Sequence, residues 1–88
     1  MTLRWHRLRQ FEKETAKLKL AKGEVVRVQA IMSRYAEGRA FPKDHKVLRD
    51  GVEELKIAGY DRTFRVHFGR VDDELVLCAC ISARRRPR

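Results

Sequence analysis

Hydrophobic spacing changes twice along this chain, and each stretch predicts a different element. From Leu3 to Lys22, the residues Leu8, Phe11 and Leu18, with Thr15 between them, fall on one side of a helix, while Arg7, Arg9, Lys13 and Lys17 crowd the other. Gly23 interrupts this pattern. Glu24 to Glu37 repeats it through Val25, Val28, Ile31, Met32 and Tyr35, and Gly38 supplies a helix stop. The β-branched run Val25, Val26 and Val28 suits a strand by propensity, but the i, i+3, i+7 spacing and the glycine stop select helix. So short a link predicts two antiparallel helices, a helical hairpin over residues 1–38.

Residues 39–50 hold Phe41-Pro42 and several charges with no sustained period, and read as a loop. Period two then takes over. Val52 to Ile57 predicts a strand, Gly59-Tyr60-Asp61 a turn, Arg62 to Phe68 a second strand, Gly69 to Asp73 another turn, and Glu74 to Ser82 a third strand. Asp50-Gly51 is the turn before the first of these, because glycine accepts a positive φ. In the third strand, strict alternation puts Leu75, Leu77, Ala79 and Ile81 on one face and Val76, Cys78 and Cys80 on the other, as for a strand covered on both sides. The expected fold is α+β: a helical hairpin packed on one face of a three- to four-stranded antiparallel sheet, a meander over residues 51–82 with a basic tail at 83–88.

The uncovered sheet face is where chemistry is expected. Phe64, Val66 and Phe68 point one way, which sends Thr63, Arg65 and His67 the other. Cross-strand neighbours lie about 5 Å apart, so Arg65 and His67 can stand beside Glu54 and Lys56.

Composition sharpens this picture. At 88 residues the chain is the size of one domain, with room for one layer of helices on a sheet. Charged residues make up 38% and the formal net charge is +9, which calls for an anionic partner: nucleic acid, an acidic membrane surface or an acidic protein. No apolar run approaches the roughly 20 residues of a membrane span, and no secretory signal is visible, so a cytoplasmic location without a membrane partner is expected. Cys78 and Cys80, on one face of a regular strand, would lie about 6.5–7 Å apart, a poor disulfide distance. They read as buried, reduced thiols. A lone Cys-x-Cys has no second ligand pair, so neither a metal nor another cofactor is expected.

The stretch "KVLRDGVEELKI", then "YDRTFRVHF", an Asp-Asp turn and "ELVLCACISARRRPR", resembles the RelE/HigB/ParE superfamily of type II toxin–antitoxin toxins, above all its HigB and phage-encoded branch. The shared pattern is carried by Leu48, Asp50, Gly51, Val52, Glu54, Leu55, Lys56, Phe64, Arg65 and Val66, then Leu75 to Leu77 and Arg84 to Arg86. Two features differ: members of that family usually open with a β-strand, whereas this chain begins almost at its first predicted helix, and the tyrosine that RelE places in a C-terminal segment has no counterpart here.

The resemblance implies a ribosome-dependent mRNA endoribonuclease that inhibits translation, held in check by a cognate antitoxin in a hetero-oligomer. In that reaction the RNA's 2′-hydroxyl attacks the adjacent phosphate, and fixed cations stabilise the crowded phosphorane without a metal. Arginine suits this, since its fork binds phosphate bidentately and stays charged. Lys56, Arg65 and either Arg84 or Arg85 match the family's basic positions. His67 is the candidate general base, or else an inert surface histidine. Lys43, His45, Lys46, Arg62 and Arg86 are candidate RNA contacts. Glu54 would pair with Lys56 or Arg65, or hold the arginine's orientation. Two alternatives stand beside the nuclease: a non-catalytic member that binds nucleic acid or an acidic partner, and a ParE-like inhibitor of DNA gyrase. The family's nuclease cations favour cleavage over ParE, and the missing tyrosine favours binding alone.

Overall fold

The computed structural model describes residues 2–59, 61–72 and 74–85. Two helices and a five-stranded mixed sheet make an α+β fold. Strand β1 spans Arg4–Arg7, helix α1 Arg9–Leu18 and helix α2 Lys22–Ala36. A 3-10 turn at Pro42–Asp44 leads into β2, His45–Arg49, followed by β3 at Val52–Ala58, β4 at Arg62–Arg70 and β5 at Leu75–Arg85. The sheet order is β1-β5-β4-β3-β2, antiparallel throughout except that β1 runs parallel to β5.

The expected meander is present as β3, β4 and β5, and two strands are added to it. At the N-terminus a strand replaces the first helical turn expected. Trp5 explains it: its indole N–H donates to the Met32 carbonyl at 2.8 Å, and its ring meets Phe68 edge-on at 5.0 Å. The Leu3 amide donates to the Ala36 carbonyl, tying the strand's start to the end of α2. The second added strand, β2, was expected to be loop. It closes a hairpin on β3 through the Asp50-Gly51 turn, where Gly51 takes a φ of 73°.

The break between helices also moves. Lys19, with a φ of 50°, ends α1, and Gly23 lies inside the first turn of α2. Glu24 accepts the Ala21 amide at 2.9 Å at that N-terminus. The stop at Gly38 is as expected, with a φ of 74° and its amide donating to Tyr35. Each helix leans on the sheet more than on its neighbour, α1 against β5 and α2 against β3.

Phe64, Val66, Phe68, Leu55, Ile57, Val76 and Cys78 are fully buried beneath Phe11, Val28, Met32 and Tyr35. One correction decides the other face. A bulge in β5 sets Phe68 opposite Cys78 but His67 opposite Cys80, so Ala79 is the extra residue. Alternation reverses there: Ile81 joins Val76 and Cys78 in the core, while Cys80 and Ser82 turn to the uncovered face. Among the described residues no helix is long and apolar enough to cross a membrane.

Candidate anion-binding face

Register alone assembles the uncovered face. Lys46, Glu54, His67 and Cys80 form one row across β2, β3, β4 and β5. Lys56, Arg65 and Ser82 form the next, and Ala58, Thr63 and Arg84 a third. Direct cross-strand neighbours sit within side-chain reach, which is why these groups meet without any loop to carry them.

Glu54 organises the first two rows. Its Oε1 accepts from Arg65 Nη1 at 3.2 Å and its Oε2 lies 2.9 Å from His67 Nε2. The other ring nitrogen of His67 lies 3.4 Å from Cys80 Sγ. A carboxylate accepts, so the tautomer that places a proton on Nε2 serves Glu54 and leaves Nδ1 to accept from the thiol. Burial, with the Glu14 carboxylate behind it, pushes the Cys80 thiol up from its ordinary value.

A recess of about 510 Å³ opens beside this row, lined by Lys46, Glu54, Thr63, Arg65, Ser82, Ala83 and Arg84. Three cations and one carboxylate border it, and Arg65 keeps 39% of its side chain exposed. Three cations on one recess supply the positive charge and the N–H donors that a phosphate group takes.

The other expected site residues are elsewhere. Lys56 stands beside Arg65 by register, but it lines a larger groove of about 1360 Å³ rather than the recess. Arg85 faces the helix side and lines that groove with Lys43 and Arg62, so of the two tail arginines considered it is Arg84 that joins Arg65. Arg62 is committed to structure. Two of its nitrogens hold the two Glu24 oxygens at 2.9 Å and one donates to the Leu18 carbonyl, pinning α2 to the start of β4. This pair holds the Glu24 carboxyl down at about 2, with the Ala21 amide assisting. His45 also points to the helix side, 2.6 Å from Glu53 and against the Tyr35 ring. Arg86 lies outside the described residues.

Sequence reasoning gave no role to Cys80, Ser82 or Thr63. The sign of the bulge was there to read, since the apolar parity of β5 shifts from Val76 and Cys78 to Ile81 and Ala83; an almost wholly apolar strand hides such a shift. Among the described residues no three His, Cys, Asp or Glu side chains are grouped to hold a metal ion. Comparison with protein-family models, curated proteins and solved structures finds no match.

Proposed function

We propose that this chain is a RelE-like toxin of a type II toxin–antitoxin system, a metal-independent endoribonuclease that acts on ribosome-bound mRNA in the cytoplasm and is neutralised by a cognate antitoxin. The observation that carries the reading is the recess on the uncovered face, where Arg65 and Arg84 from neighbouring strands border one space with Lys46. An attacking 2′-hydroxyl makes a phosphorane whose added charge those cations would stabilise. The β-strand ahead of the first helix, which the resemblance calls for, adds support.

A second reading, nucleic-acid binding without cleavage, is favoured by one specific contact pattern. Both ring nitrogens of His67 are engaged, by Glu54 and by Cys80, so neither is free to take a proton from a 2′-hydroxyl until one contact opens.

Cleavage decides between them. Purified chain added to ribosomes stalled on a defined message is expected to cut it, and Arg65→Ala to lower the rate by about a hundredfold or more with unchanged circular dichroism. Intact message together with salt-sensitive RNA binding selects the second reading. Trapped DNA gyrase without cuts would point to the ParE-like activity.

A further inference from the structure

The row Glu54, His67, Cys80 has a geometry of its own. A nucleophile touches a base, the base is oriented by a carboxylate, and the three come from three adjacent strands of one rigid sheet. The thiol is partly exposed, and Ser82, two residues further along the same face, borders the cationic recess at about 6.5–7 Å by strand rise. The second cysteine is an internal contrast: Cys78 is fully buried on the other side of the bulge, and burial pushes its thiol up to about 12.

We propose that Cys80 is a base-activated thiol that undergoes exchange with small anionic disulfides, making it a modification site on the uncovered face. The Cys80 proton passes to His67 Nδ1, and Glu54 steadies the imidazolium that forms. The thiolate attacks one sulfur of the disulfide, a new S–S bond forms as the old one breaks, and the departing thiolate takes the proton back from His67. Protein thiol and disulfide become mixed disulfide and free thiol, so atoms and electrons balance with the disulfide as oxidant. Selection for an anion comes from Lys46, Arg65 and Arg84, three cations against two carboxylates, Glu54 at the recess and Glu14 behind the thiol. The base is required because the resting thiol is held protonated by its surroundings. The exchange stands independently of the nuclease reading; only its consequence, a tripeptide-sized adduct covering the recess, rests on it.

The test uses the full chain with glutathione disulfide, an anion, and in parallel cystamine, a dication of similar reactivity, read by mass and peptide mapping. One adduct is expected, on Cys80, forming roughly tenfold or more faster with glutathione disulfide than with cystamine, while Cys78 stays unmodified. His67→Gln should slow it about a hundredfold, and replacing Lys46, Arg65 and Arg84 together by alanine should erase the preference between the two reagents. No adduct, equal labelling of both cysteines, or a cystamine rate equal to or above that of glutathione disulfide overturns the proposal. The comparison of reagents on the unaltered chain decides even if a variant does not fold.

Discussion

Glu53 and Glu54 are neighbours on β3 and each holds a histidine, but the pleat sends the two pairs to opposite faces. On the helix side, Glu53 lies 2.6 Å from His45 and accepts the Tyr35 hydroxyl at 3.1 Å, with the His45 ring against Tyr35 and Phe68. Burial and the Glu53 charge push the Tyr35 phenol up to about 12, so it stays a donor. Those contacts tie the three side chains into the packing. On the uncovered side, Glu54 holds His67 in the same way, but the remaining neighbours are an arginine, a thiol and solvent. The same two residue types thus close a core on one face and prepare a reactive row on the other, and what separates them is the third partner.

If that division is right, the largest effect comes from the core. Phe64→Ala should cost about 3–5 kcal/mol of unfolding free energy, because Phe64 is fully buried, whereas its neighbour Arg65→Ala should change stability by less than about 1 kcal/mol. Urea titration of both variants reads the difference. Equal losses would mean that Arg65 belongs to the scaffold.

A smaller effect sharpens the helix-side description. Glu24 has a depressed pKa of about 2 in the folded chain against an ordinary 4.5, so its contribution is fully present above 4.5 and fades as the pH falls toward 2. Glu24→Gln should therefore cost about 1 kcal/mol near neutrality and should flatten the loss of stability between those two values. Thermal melts across that range would show it. An unchanged acid limb would remove the Arg62–Glu24 clasp from the account.

The alternation of β4 makes both faces legible in the sequence itself: Phe64, Val66 and Phe68 go to the core and Arg65 and His67 emerge beside Glu54 as the period requires. The glycine stop and the Asp-Gly turn were equally local, since a positive φ marks its residue. What stayed hidden depends on distant partners. Trp5 sits in a strand whose partners, β5 along its edge and Met32 and Phe68 at its ring, are far away in sequence, and Val47 pairs in β2 while 64% exposed, leaving no burial pattern to read. Arg62 reads from the sequence as an RNA contact, and only α2, which brings Glu24 to it, shows it to be a structural clasp. Cys80 changed faces through one inserted residue.

The central claim is that anions bind the uncovered face. It is tested most directly by the salt dependence of single-stranded RNA binding. Replacing Lys46, Arg65 and Arg84 by alanine should reduce the slope of log K against log salt by about 2, since each lost phosphate contact removes about 0.7. Replacing Arg27, Arg34 and Lys43, which border the larger groove on the helix side, should leave the slope unchanged. A slope that falls with the second set and survives the first would contradict the account.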